Sequence, residues 1–485
     1  MNMRYSLRVL FSVFVLSLTA IAVFHPAGKA QMVQINLSTD PAPNAPGRLP
    51  NQLFLPMLFT RGFETPRANI PYFGSEVKLA ESAILWFGEV NSDKNYTDVR
   101  VGYTDQDLFV RLQTFDRLLW YDTQPSQADL DRWDAASLYL DLGDGMRYRF
   151  IGQLVWWEER DNYQAAYQWD GSGWSTSSIN FKTLTGWRGQ QPNDMQNDRG
   201  WWINFYIPFE SLGLSGPADP GTIWRMALKL HDRDSAAGPA RPDHIWPERL
   251  DDQEISSWGE LSFGLAQYQP STATQANGSV TIRHRLNDAN VVDGMVGGGT
   301  LCGSQTDFWT EWGYETYPGA EQVNVQNQSD VADWPCYSKF YITFPLSQVP
   351  PGKQILSAQL TLYQFGNAGG GSYEAPPISL IQVLRTENED LNESELNWNN
   401  APLAVENVAR AWVPPIEQFP GWPGVPITWD ISKAVADAYA QGQPLRLAVY
   451  SADADYHSGR YFISSDTPDW NAEGRPTLDV VWGEP

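Results

Sequence analysis

Tryptophan is as abundant in this chain as phenylalanine or tyrosine, at 22, 21 and 21 residues, and it is spread through loops and strand edges. A buried indole needs a partner for its N–H, so cores use few of them, whereas a surface that stacks on flat partners such as sugar rings uses many. Because large β-sandwiches also bury tryptophan, the total rather than any one residue points to binding by stacking. Carboxylates offer a second chemistry. Glycoside hydrolysis needs two of them facing across a cleft, about 5 to 9.5 Å apart, and neighbours such as Glu158 and Glu159 would point to opposite faces of a strand. Beyond the N-terminal segment the histidines are His231, His244, His284 and His457, without metal-ligand spacing, and there is no G-x-S-x-G elbow or phosphate loop. No catalytic residue is assigned. His231, Asp232, Arg233 and Asp234 at a strand end are candidate ligands for a structural Ca²⁺, as are Asp453 and Asp455, although acidic turns are also commonly solvated or internally hydrogen-bonded.

Composition limits the partners. Arg4 and Arg8, an apolar run from Val9 to Phe24, and small residues Gly28 and Ala30 before Gln31 predict a secretory signal over residues 1–30. The apolar run is short for a membrane span, so the expectation is a secreted, extracellular or cell-surface protein with no membrane insertion after signal cleavage. The net charge of −24, negative in both halves, repels nucleic acid and anionic lipid. The two cysteines, Cys302 and Cys336, fit no zinc pattern and predict one disulfide in an oxidising compartment.

A chain of 485 residues is too long for one core. Residues 31–75, rich in Pro, Asn, Ser and Thr, read as an extended leader, and Pro270 to Gly278 has the makeup of a linker. Val99, Val101 and Tyr103 alternate with polar residues, turn at Thr104 to Asp107, and resume at Leu108, Val110 and Leu112, which predicts a hairpin. Leu138, Leu140 and Leu142 share one face, as do Trp224, Met226, Leu228 and Leu230. Lys339 to Phe344, Ala358 to Tyr363 and Leu445 to Tyr450 continue the style, and one short helix is predicted over Ser432 to Gln441. The fold class is all-β: two β-sandwich, jelly-roll-like domains over residues 76–265 and 279–485, joined by a short linker at 266–278.

Asp98 to Asp116, Trp133 to Asp144 (WDAASLYLDLGD), Trp201 to Leu214 (WWINFYIPFESLGL), Pro220 to Asp234 and Ser257 to Gly264, in that order, resemble family-9 carbohydrate-binding modules and their DOMON-like relatives. That resemblance implies a cleft where tryptophans clamp a sugar, with Trp133 and Trp246 nearest the clamp and Arg149 and Lys229 as polar contacts. Ser137 stands where the family often carries a sugar-facing carboxylate. DOMON-like domains also hold haem, and Met226 lies on a suitable strand, though its period places it in the core. Lys339 to Gly366, Leu391 to Pro402, Ile427 to Ser451, and a close with Ser458 to Asp466 and Arg475 to Trp482 resemble the DNRLRE-domain group, some of whose members are family-96 carbohydrate-binding modules. There Trp398, Asn399 and Asn400 read as fold determinants. Together these imply a non-catalytic protein that binds polysaccharide or oligosaccharide. The alternatives are a cell-surface structural or adhesive protein without sugar binding, or an accessory to glycan hydrolysis.

Overall fold

The computed structural model describes residues 64–270, 275–302, 306–327, 335–369, 377–453 and 457–485. The predicted signal, most of the leader and Asp455 lie outside them. The described chain is all-β, with short 3₁₀ turns and one α-helix, Ser432–Ala440, where the sequence predicts it. Ala434, Val435 and Ala438 bury one side of that helix, and Gly442 in the left-handed region ends it.

The predicted hairpin forms from strands Lys94–Tyr103 and Asp107–Phe115, with Val101 opposite Val110 and Tyr103 opposite Leu108. These two belong to a sheet ordered Ala83–Asn91, Lys94–Tyr103, Asp107–Phe115, Gly200–Pro208, Lys182–Arg188. It packs against a second layer of Gly259–Phe263, Ile223–His231, Ala135–Asp141, Arg147–Gln153, Gln164–Trp169 and Trp174–Ser177. Alternation sends Leu138, Leu140, Phe150, Met226 and Leu228 inward to meet Val99, Val101, Val110 and Leu112. Each such side chain contributes roughly 1.5–3 kcal/mol on burial.

The C-terminal sandwich repeats the logic. Val292–Gly297, Ser338–Phe344, Leu445–Ser451, Ser379–Thr386 and Ala404–Val413 face a sheet of Ala276–Arg283, Thr477–Gly483, Gln354–Asn367, Arg460–Ile463 and Gln322–Val325, with Val425–Asp430 alongside Gln354–Asn367. Phe340, Ile342, Phe344, Leu360, Leu362, Leu447 and Val449 fill the space between.

The two sandwiches share more than a connection. Strand Arg67–Ile70, within the segment read from sequence as extended leader, pairs in parallel with Gly259–Phe263 and, through Arg67, with Ala404–Val413, so one sheet of 13 strands crosses both sandwiches. Four residues are too few for periodicity to reveal it. Asn69 fixes the join. Its N–H donates to Asn407 Oδ1 at 2.7 Å and its amide to Asn407 O at 2.9 Å, while the Asn407 amide donates back to Asn69 O at 2.9 Å.

A third apolar cluster fills the junction. Ile84, Trp86, Val90, Tyr96 and Phe115 meet Tyr337, Tyr341, Leu384, Trp398 and Tyr450. The polar half of the predicted hairpin, which sequence alone would give to solvent, is buried here because it has partners. Arg100 donates to Asn327 Oδ1 at 3.0 Å and Ala452 O at 3.1 Å, and Asp98 accepts from Asn327 at 2.9 Å and from Tyr450 at 3.0 Å. Lys339 Nζ stands 3.8 Å from the Trp398 ring centre and 4.1 Å from that of Trp86. Burial pulls this amine well below the usual lysine range, while Asp98 pushes the other way. Trp398 is buried, and the Asn399 side chain accepts from Val90 N–H at 2.7 Å and donates to Val90 O at 3.0 Å across the junction. The Cys302–Cys336 disulfide is present and closes the loop that delivers Phe308, Trp309 and Trp312 to this cluster.

Candidate functional site

The outer face of the second N-terminal layer collects the polar residues that sequence singled out. Register places Tyr139 opposite Arg149 and Ala227, and Ser137 opposite Lys229, so these residues form one patch. The Arg149 guanidinium donates to Asp131 Oδ2 at 2.9 Å and to Ser137 Oγ at 3.2 Å, and lies 5.3 Å from the Tyr167 ring centre and 5.7 Å from that of Tyr139. Lys229 Nζ donates to Asp252 Oδ2 at 2.7 Å. His231 sits 2.9 Å from Ser137 Oγ and 2.8 Å from Asp243 Oδ1. Burial tends to raise the Asp243 carboxyl, but the His231 contact outweighs it and the group stays below its usual range. Tyr139 is buried between Trp174 and Trp258, at ring separations of 5.6 and 5.7 Å.

The two tryptophans expected as a clamp do not share this patch. Trp133 is half-buried, with the Arg233 guanidinium 4.4 Å from its ring centre. Trp246 pairs with Leu228, so it turns to the inner face and is 3% exposed in the core. The two-residue period of a strand decides this: Lys229 and Ile245 look outward, Leu228 and Trp246 inward. The structure therefore brings Arg149 and Lys229 together and leaves Trp246 out.

The acidic turn is divided by the same alternation. His231 joins the outer patch, Arg233 stacks on Trp133, and only Asp232 and Asp234 converge, with Asp116 from another strand end; carboxylate oxygens of the three lie within 4.8 Å of one another. Asp116 and Asp232 are buried, and Asp116 Oδ2 has no hydrogen-bond partner among the described residues. Asp134, also buried, accepts from the N–H of Trp120 at 2.6 Å and of Arg233 at 2.8 Å. Burial, then repulsion from neighbouring carboxylates, raises the carboxyls of Asp116, Asp134 and Asp232, that of Asp232 to about 7. Asp453, the other candidate, is buried and accepts from Ser379 Oγ at 2.5 Å. Glu158 and Glu159 are both exposed on a loop rather than paired across a cleft.

That loop carries residues the sequence reading passed over. Trp156 and Trp157 are exposed beside half-buried Trp187. Their ring centres lie 6.1 and 4.9 Å from that of Trp187, and Tyr121 stands 5.1 Å from Trp157. The indole N–H of Trp187 donates to Gln190 O at 2.7 Å, which fixes the ring at the edge of the cluster. The adjacent pair in WWEE was the available signal. Two neighbouring rings next to two acids cannot both enter a core.

The model of carbohydrate-binding module family 96 matches residues 309–473. No curated protein matches the chain. Among solved structures, a family-9 carbohydrate-binding module of Caldicellulosiruptor kristjanssonii in complex with cellotriose aligns at 16% identity and a TM-score of 0.29, over 44% of this chain and 100% of that one. The glucose complex of a family-9 module from the same organism aligns at 17% and 0.29, over 42% and 98%. A Bacteroides uniformis protein described as a candidate carbohydrate-binding protein aligns at 12% and 0.33, over 41% and 99%. At such TM-scores these likenesses carry no part of the argument. No helix among the described residues is long and apolar enough to cross a membrane.

Proposed function

We propose that this chain is an exported, non-catalytic protein that binds polysaccharide or oligosaccharide. The observation that carries the reading is the exposure of clustered indole rings on a β-sandwich, at Trp156 and Trp157, in a chain whose C-terminal region matches a carbohydrate-binding-module family. Exposed rings lose the burial energy that usually holds aromatic side chains inside, so their clustering favours a stacking partner. Arg149 and Lys229 add donors held in place by Asp131 and Asp252, an arrangement able to exchange hydrogen bonds with sugar hydroxyls. The likenesses to DOMON-like and DNRLRE domains belong to the same reading.

A structural Ca²⁺ bound by Asp116, Asp232 and Asp234 completes it. Hard oxygen donors suit that ion, and a cation would offset the repulsion among buried carboxylates and satisfy Asp116 Oδ2.

The test is a glycan-array screen and calorimetry on the full chain. Saturable binding is expected, with Trp156→Ala combined with Trp157→Ala weakening it at least tenfold. Silence on every glycan would remove the proposal. It would favour the second reading, a cell-surface structural or adhesive protein, for which the internal pairing of Arg149 and Lys229 already speaks.

A further inference from the structure

A separate group of rings lies on the C-terminal sandwich. The outer face of strand Gln354–Asn367 presents Phe365, and the neighbouring Arg460–Ile463 strand presents Tyr461. The connection before Val425–Asp430 adds Phe419 and Trp422, and the 3₁₀ turn Asp469–Gly474 adds Trp470. Phe419, Trp422 and Trp470 are 43%, 46% and 66% exposed.

Their orientations differ in an ordered way. Phe365 is inclined to Trp422 by 31° at 6.0 Å between ring centres, and to Tyr461 by 35° at 6.1 Å. Phe419 and Trp470 instead stand at 70° and 85° to Trp422, at 5.1 and 5.4 Å. Phe365 is thus moderately inclined to both Trp422 and Tyr461, while Phe419 and Trp470 stand edge-on to Trp422.

The supports are fixed. Asn367 Oδ1 accepts from Ile416 N–H at 2.7 Å, and buried Arg460 donates to Val413 O at 3.1 Å at the base of the Trp422 connection. Buried Arg475 donates to Asp469 Oδ1 at 2.6 Å and to Thr467 O at 2.7 Å, holding the Trp470 turn. Rings held this way lose little further freedom on binding.

We propose that Phe365, Phe419, Trp422, Tyr461 and Trp470 form a second binding site, for an uncharged polysaccharide of equatorially substituted pyranoses. Such rings present flat faces of C–H bonds, whose partial positive charge meets the negative π faces of the aromatics. Glu417 lies two residues before Phe419 in sequence, and the chain carries −24 overall, a field that disfavours a polyuronate. Clustered aromatic rings suit the C–H face of a sugar better than they suit an apolar helix or lipid. The inference rests on the carbohydrate reading above but names different residues.

The experiment is calorimetry of the full chain with cellohexaose, xylohexaose and mannohexaose, against polymannuronate and polygalacturonate. Wild type should bind at least one neutral hexaose. Trp422→Ala and Trp470→Ala should each weaken that binding about tenfold or more, and Trp422→Tyr by less than threefold, with unchanged circular dichroism and Tm. Wild-type affinity in both alanine variants would overturn this site while leaving the broader carbohydrate reading intact. Preferential binding of the polyuronates would overturn the ligand class. Loss of self-association in the alanine variants with no change in hexaose binding, by sedimentation, would assign the rings to a contact between copies and overturn the inference. Absence of any glycan binding by wild type would overturn both readings.

Discussion

At the scale of single residues, the buried carboxylates are the most consequential feature. Asp232 has its carboxyl raised from 3.8 to about 7, first by burial and then by Asp234. A carboxyl raised on folding keeps a proton in the folded state that the unfolded chain has released. Its contribution to stability is therefore present below about 4 and disappears as pH rises through about 7. In chelator, thermal stability should accordingly fall between pH 4 and 7. Ca²⁺ bound as proposed would reverse the sign, because binding requires the deprotonated cluster. At a hundredfold excess of Ca²⁺ over Kd the gain should be about 2.7 kcal/mol, and it should grow from pH 5 to 7. Calorimetric scans with Ca²⁺ or chelator measure this, and Asp232→Asn should abolish the Ca²⁺-dependent shift. A pH profile identical with and without Ca²⁺ would rule the ion out.

At the scale of elements, the loop closed by Cys302 and Cys336 holds three junction rings in place. Trp312 is fully buried, with its indole N–H donating to Pro335 O at 3.0 Å beside the second cysteine. Opening the bridge frees the unfolded chain, worth roughly 3 to 4 kcal/mol for a loop of this length on the entropy model, and loosens those rings. The double variant Cys302→Ser, Cys336→Ser should lose about that much in denaturant unfolding, with the loss appearing as a lower midpoint. Unchanged unfolding of the double variant would show that the loop is held by its packing alone.

At the scale of the molecule, residues Phe63–Pro485 form one compact unit. The junction has an apolar cluster, buried Arg100, Asp98 and Lys339, and a strand that pairs on both sides. Cutting between the sandwiches would expose those rings and strand buried charges without partners, each of which is costly. Residues 76–265 and 279–485 expressed apart should therefore aggregate or bind a hydrophobic dye, whereas the full chain should unfold in one cooperative transition. Two soluble halves with sharp transitions of their own would refute a shared core. Rigid placement also fixes the separation of the proposed sites, so a long glycan able to reach both would bind more tightly than a hexaose through effective concentration.

The amino-acid sequence by itself determined the local pattern. Alternation at Val99 to Leu112, at Leu138 and Leu140, and at Trp224 to Leu230 fixed which side chains enter each core, because a strand's two-residue period allows only two faces. The short helix and the cysteine pairing were legible for similarly local reasons, one from its apolar side and terminal glycine, the other because only two cysteines exist. What the outer faces meet is decided by distant segments, and only the tertiary structure settles it. Asp98 and Arg100 alternate as though for water and are buried because the other sandwich supplies Asn327, Tyr450 and Ala452. Trp246 was placed beside Arg149 and Lys229 by resemblance, yet strand pairing turned it inward opposite Leu228. Asp116 joins Asp232 and Asp234 across more than a hundred positions of sequence, and five rings from four segments assemble around Phe365 and Trp422. No periodicity encodes such meetings, since they depend on how whole sheets pack rather than on neighbours along the chain.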